Sequence, residues 1–186
     1  MSKEKKINSL KEKYLKEITP TLKETLKISN VMEVPKVEKV VLNMWIGTYI
    51  KSGNKDYSSL QEHLKLIAWQ APTVRYAKKA ISNFKLRAGM PVWLSVTLRG
   101  DNMYNFLEKL VNIVLPRVRD FRWINKNGFD KSGNYNFWIK EHTIFLEVPQ
   151  DDVIQTHGIQ ITVKTTAKDK EGGKELLKLL WFPFSK

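Results

Sequence analysis

Val92-Trp93-Leu94-Ser95-Val96-Thr97-Leu98-Arg99 alternates without a break between aliphatic residues and polar, charged or aromatic ones. Successive side chains of a strand leave opposite faces, so Val92, Leu94, Val96 and Leu98 line one face and Trp93, Ser95, Thr97 and Arg99 the other. Such a strand rests on a core with one face and leaves the second uncovered, as antiparallel sheets commonly do. Asp101 then opens a helix in which Met103, Phe106, Leu107, Leu110, Val111, Val114 and Leu115 form one apolar stripe, and Pro116 is expected to stop it.

The same two patterns recur outward from this segment. Between Val37 and Ile46 the apolar positions are Val40, Leu42, Met44 and Ile46, opposed by Lys39, Asn43 and Trp45. Ile159, Ile161 and Val163 alternate with Gln160, Thr162 and Lys164 in a strand from Ile159 to Thr165. Ser59 and Glu62 read as a capping box for a helix with Leu60, Leu64, Ile67 and Ala68 inward, which Pro72 ends. Upstream, Ile7, Leu10, Tyr14 and Leu15 predict a helix ending near Pro20, and Leu22 to Ile28 a second short one. Gly128 to Gly133 reads as turn chemistry leading into strand material from Tyr135 to Val148. A closing helix over Glu175 to Leu180 is expected after a flexible Gly172-Gly173 pair, with Phe182-Pro183-Phe184 as an apolar anchor.

One-faced strands interleaved with one-striped helices assemble as an α+β fold, a mainly antiparallel sheet with helices packed on one face and an open second face. The expected organisation is one domain over residues 1–186, with an N-terminal helical segment (1–30) and a protruding basic loop (75–89). The open face would collect Lys39, Asn43, Trp93, Thr97, Arg99, Gln160, Thr162 and Lys164, a mixture of amides, hydroxyls, charge and an aromatic plane that suits RNA.

Charge points the same way. The chain carries 32 Lys and Arg against 19 Asp and Glu, a formal net charge of +13 on 186 residues. A field of that sign attracts polyanions and does not bear on fold. With 42 % hydrophobic residues the chain can build a core, which excludes a basic disordered tail. Between Arg75 and Gly100 stand Arg75, Lys78, Lys79, Lys85, Arg87 and Arg99 with no carboxylate and with Tyr76, Phe84 and Trp93 among them. Cations without internal partners are available to phosphates, although a solvated surface shows the same pattern. Arg117, Arg119 and Arg122 belong to a second basic cluster that reaches Lys126.

The residues for catalysis are sparse. Cysteine is absent, which removes disulfides, thiolate nucleophiles and thiolate metal sites. His63, His142 and His157 have no spacing that makes a metal pair on one helix or strand. No nucleophile elbow, Walker A or dinucleotide fingerprint occurs, and Glu171-Gly172-Gly173-Lys174 lacks the upstream glycine of a phosphate loop. Asp151 and Asp152 read more readily as a helix opening than as a catalytic pair. An enzyme is therefore not expected, nor a cofactor or metal. The first residues lack the apolar core of a signal peptide, and no stretch predicts a membrane span. A peripheral membrane binder would need a strongly basic helix face, whereas Met103 to Leu115 holds a single lysine.

Several ordered motifs carry a family resemblance: Val34-Pro35-Lys36-Val37-Glu38-Lys39, Leu42-Asn43-Met44, Ala77-Lys78-Lys79-Ala80, Phe84-Lys85-Leu86-Arg87-Ala88-Gly89, Val96-Thr97-Leu98-Arg99-Gly100, Pro116-Arg117-Val118-Arg119-Asp120-Phe121-Arg122, Gly133-Asn134-Tyr135 and Thr165-Thr166-Ala167. From about Tyr14 to Phe184, in this order, the chain resembles the bacterial-type family of large-subunit ribosomal protein five. The resemblance implies a cytoplasmic ribosomal protein of the central protuberance that binds 5S rRNA, an organellar ribosome being the other setting. It implies 5S contacts at Asn43, Gln70 and Thr97, with Lys39 and Arg99 beside them. The basic loop, with Arg75, Lys78, Lys79, Lys85 and Arg87, would reach toward P-site tRNA. Further contacts to large-subunit rRNA, or to a small-subunit head protein through an intersubunit bridge, would fall to Arg117, Arg119 and Arg122. An RNA-binding or RNA-processing protein outside the ribosome is the alternative.

Trp45, Trp69, Trp93, Trp123, Trp138 and Trp181, every tryptophan of the chain, stand where the resemblance implies glycine. Two readings are open. Either these are UGA codons that the source cell reads as glycine, or the indoles are genuine and Trp93 is a stacking platform for a base.

Overall fold

The computed structural model describes residues 10–51, 56–119, 123–149 and 156–184. Five strands form one mainly antiparallel sheet in the order β2-β3-β1-β5-β4: β1 is Val37–Trp45, β2 Thr73–Tyr76, β3 Pro91–Leu98, β4 Tyr135–Ile139 and β5 Ile159–Thr165. The helices are α1 (Leu10–Lys13), α2 (Thr19–Thr25), α3 (Gly47–Lys51), α4 (Ser58–Ala68), α5 (Gly100–Lys109), α6 (Leu115–Arg117) and α7 (Lys170–Leu179). The α+β class read from alternation is the observed one.

The chain separates into two compact units. One comprises residues 1–40, 99–137 and 163–186, the other residues 41–98 and 138–162. In the first, the helical run from Leu10 to Thr25 buries Leu10, Tyr14, Ile18 and Leu22, α5 buries Met103, Phe106 and Leu107, and α1 packs against α5. Tyr14 donates its hydroxyl to the Pro35 carbonyl at 3.0 Å inside this core. In the second, Leu42, Met44 and Ile46 of β1 and Leu94 and Val96 of β3 are buried, as are Leu60, Leu64 and Ile67 of α4. Every inward position predicted for the three clear strands is buried.

Both long helical runs contain a π-helical turn followed by a proline. Tyr14–Ile18 precedes Pro20, and Leu110–Val114 precedes Pro116. A proline inside an α-helix lacks a donor and collides with the carbonyl four residues back. The wider turn relieves that collision, and at the first site Thr19 also donates its hydroxyl to the Tyr14 carbonyl at 2.8 Å. Pro20 therefore does not end the first helix, and α6 continues through Pro116 to Arg117. The extra residue in the turn also shifts the apolar stripe: Ile18 and Leu22 are buried while Leu15 is 61 % exposed. Ile7 lies outside the described residues.

Other local expectations change in detail. α4 starts at Ser58, one residue before the anticipated cap; Asp56 accepts from the Ser58 amide at 2.9 Å and from its hydroxyl at 2.6 Å. Strand β4 stops at Ile139, and a 3-10 turn follows at His142–Ile144. Gly172 and Gly173 lie inside α7 rather than before it, and both are buried. A side chain on Gly173 would strike the backbone of Gly133, so the pair permits close backbone packing and is not a flexible joint.

Candidate nucleic-acid interface

Strand β2 leads into the basic loop, pairing antiparallel with β3 so that Thr73 faces Ser95 and Arg75 faces Trp93. Beyond Tyr76 the chain makes an excursion closed at its base by Ala77 and Gly89: the Ala77 amide donates to Met90 at 2.8 Å and the Gly89 amide to the Ala77 carbonyl at 2.9 Å. Near the tip, Ile81 and Leu86 exchange two backbone hydrogen bonds, of 3.0 and 3.1 Å, around the 3-10 turn Ser82–Phe84. This double closure gives the loop a defined backbone. Arg75, Lys78, Lys79, Lys85 and Arg87 are all exposed, and none forms an ion pair among the described residues. Tyr76 and Phe84 stand beside them, 57 % and 62 % exposed.

In the same unit, Asn43 on β1 and Thr97 on β3 occupy the outward register with Trp45, Trp93 and Ser95. These positions are half-buried, because neighbouring side chains of a sheet face shade one another. Gln70 is exposed in the turn that follows α4. The side chains of Asn43, Gln70 and Thr97 make no hydrogen bond among the described residues, so their donors and acceptors are available to a partner. The rings of Trp45 and Trp93 meet edge to face at 4.7 Å on this surface.

In the other unit, half-buried Lys39 and exposed Arg99 lie in the field of Glu38, which is bonded to Lys164 at 2.9 Å. The Lys164 hydrogen bond, with smaller Coulombic contributions from Lys164, Lys39 and Arg99, holds the Glu38 carboxyl below its ordinary range. This patch is cationic with one charge already answered. Arg117 and Arg119 are exposed, whereas Arg122, Asp151 and Asp152 lie outside the described residues.

The three histidines, unrelated by sequence spacing, meet in one buried cluster of the second unit. His142 Nδ1 accepts from the His157 amide at 3.0 Å, which leaves the ring proton on Nε2, 3.3 Å from His63 Nδ1. Tyr49 packs edge-on against His157. Among the described residues no group of three or more metal-ligating side chains has an arrangement that could hold an ion. The cluster is a buried packing element that pairwise spacing could not reveal.

Burial, with smaller contributions from His63 and His157, pushes the pKa of His142 down to about 4, and burial also lowers that of His157. The folded state thus binds fewer protons than the unfolded chain. The stability involved is fully present above about pH 6.5 and declines as pH falls through about 4, with a contribution on the order of a few kcal/mol. Thermal melts between pH 7 and pH 4 are expected to show a falling Tm. A His142→Gln variant should flatten that dependence; an unchanged pH profile in the variant would assign the acid sensitivity elsewhere.

An α+β sheet with unpartnered amide and hydroxyl groups, joined to an acid-free basic loop, is the arrangement that a nucleic-acid-binding surface calls for. Comparison with known proteins specifies it further. Residues 30–87 match the family described as ribosomal protein L5, and residues 91–184 match the C-terminus of that ribosomal family. The chain is 51 % identical over 178 residues to the large ribosomal subunit protein uL5 of Thermosipho africanus, covering 95 % of this chain and 97 % of that one. It is 49 % identical over 179 residues to the protein of the same name from Leuconostoc citreum, with 96 % and 99 % covered.

The chain belongs to the ribosomal protein L5 family. It is a structural, non-enzymatic constituent of the large ribosomal subunit that binds rRNA, and its setting is the cytoplasmic ribosome. No helix among the described residues is long and apolar enough to cross a membrane.

Proposed function

We propose that this protein anchors 5S rRNA in the central protuberance through Asn43, Gln70 and Thr97, with Lys39 and Arg99 supplying phosphate contacts. The observation that carries the reading is the unused hydrogen-bonding capacity of those three side chains on partly accessible surface. Cations position the RNA without reading it, whereas amides and hydroxyls add directional bonds to sugars, phosphates or bases. The basic loop, with Arg75, Lys78, Lys79, Lys85 and Arg87, reaches toward P-site tRNA. Arg117 and Arg119, together with Arg122, serve large-subunit rRNA or a small-subunit head protein across an intersubunit bridge.

Asn43→Ala is expected to weaken 5S rRNA binding by about 1–3 kcal/mol, through the lost bond and the RNA group left unpaired. A filter-binding titration measures this. Pull-down of total RNA with the purified protein, followed by sequencing, should recover 5S rRNA as the dominant species. Recovery of large-subunit rRNA fragments without 5S rRNA would overturn the partner assignment while leaving the family intact.

A further inference from the structure

We propose that positions 45, 69, 93, 123, 138 and 181 are encoded by UGA and carry glycine in the cell that makes the protein, so that the working RNA surface carries no indole. Four observations converge. First, although tryptophan is largely apolar and usually well covered, none of the six is buried, and Trp69, Trp123, Trp138 and Trp181 are 55 %, 63 %, 51 % and 69 % exposed.

Second, two of them occupy backbone that favours glycine. Trp69, capping the C-terminal end of α4, has φ 52°, and Trp181, just beyond α7, has φ 70°. Left-handed residues at helix C-termini are most often glycine, because a Cβ is disfavoured there. Among the described residues only two other non-glycine side chains, Lys27 and Lys85, adopt positive φ. A third of the tryptophans therefore share a conformation that is rare in the rest of the chain.

Third, the ring of Trp45 lies 2.7 Å from where a Cβ on Gly47 would stand, and that of Trp138 lies 2.5 Å from a Cβ position on Gly158. These rings lie over glycines, Trp138 on exposed surface and half-buried Trp45 held by a hydrogen bond from its Nε1 to Thr48 Oγ1 at 2.7 Å. Fourth, the chain has nine glycines, where the ordinary frequency of about 7 % would give roughly thirteen. Reassigning six tryptophans restores an ordinary count.

One reassigned codon, UGA read as glycine instead of as stop or tryptophan, accounts for all six positions together. The consequence for the site rests on the function proposed above. Without the Trp45 and Trp93 rings, which now meet over the sheet, an RNA backbone can come close to Asn43 and Thr97.

The test is the protein isolated from ribosomes of the source cell, analysed by peptide mass spectrometry and by fluorescence. Glycine at all six positions and loss of indole emission are expected, and all six codons should be UGA. Tryptophan in the peptides spanning positions 69 and 181, or UGG at any of the six, would overturn the proposal. Neither readout depends on RNA binding, so its failure is distinct from failure of the 5S assignment. As an independent check, a recombinant chain carrying Trp69→Gly and Trp181→Gly should melt a few degrees above the tryptophan-bearing chain. A lower Tm would contradict the backbone reasoning.

Discussion

Alanine at Lys78, Lys79, Lys85 and Arg87 together is expected to reduce the salt dependence of RNA binding by about 3 in the slope of log K against log salt. Each lost phosphate contact contributes ~0.7–0.9. All four cations are exposed on one doubly closed loop, and no carboxylate stands between Arg75 and Gly100 to satisfy them internally. Because phosphate contacts position without reading bases, affinity should fall to a similar degree for different RNA sequences. Binding isotherms at several salt concentrations measure the slope. An unchanged slope would remove the loop from the RNA interface, whatever the affinity does.

Gly173→Ala is expected to destabilise the fold by about 3 kcal/mol, while Gly172→Ala, one residue earlier on the same helix, stays neutral or gains up to about 1 kcal/mol. The difference is geometric. A Cβ on Gly173 would overlap the Gly133 carbonyl oxygen and lie 2.8 Å from the carbonyl carbon and the Cα. That backbone cannot easily yield, since the Gly133 carbonyl accepts from Thr165 Oγ1 at 3.0 Å and the Gly133 amide donates to Asp130 at 3.3 Å. Around Gly172 the nearest atoms are side-chain carbons at 3.6 to 3.8 Å, an ordinary contact distance, and helix propensity then favours alanine. Urea midpoints of the two variants test the pair. Equal midpoints would mean that the close approach of α7 to Gly133 does not hold the fold.

The strands β1, β3 and β5 were legible because each alternates cleanly, and inward residues such as Leu42, Leu94 and Ile161 are indeed fully buried. Strand β2 was missed for the converse reason. None of its residues is buried, so no apolar period marks it, and only its pairing with β3 makes it a strand. Proline misled the helix boundaries, because a π-turn that absorbs the missing donor leaves no mark in local sequence. The doublet Gly172-Gly173 looked like a joint, since what it accommodates, Gly133, is forty residues distant.

Site residues divided along the same line. Alternation placed Asn43 and Thr97 on the outward face directly, whereas Gln70 entered through motif resemblance alone, and the structure puts it in a separate exposed turn. The histidine cluster was invisible because His63 and His142 are 79 residues apart and meet only through tertiary packing. Charge, by contrast, needed no structure to read: an acid-free basic run stays available to anions in any fold that exposes it.

The outward face of β1 and β3 is where 5S rRNA is expected to bind. The most direct test is a filter-binding titration of 5S rRNA at fixed, low salt, comparing the unmodified protein with an Asn43→Ala, Thr97→Val double variant. Weakening by at least tenfold at an unchanged salt slope is expected, since both substitutions remove hydrogen bonds and neither removes charge. Unmodified affinity in the double variant would contradict the assignment of this face to 5S rRNA.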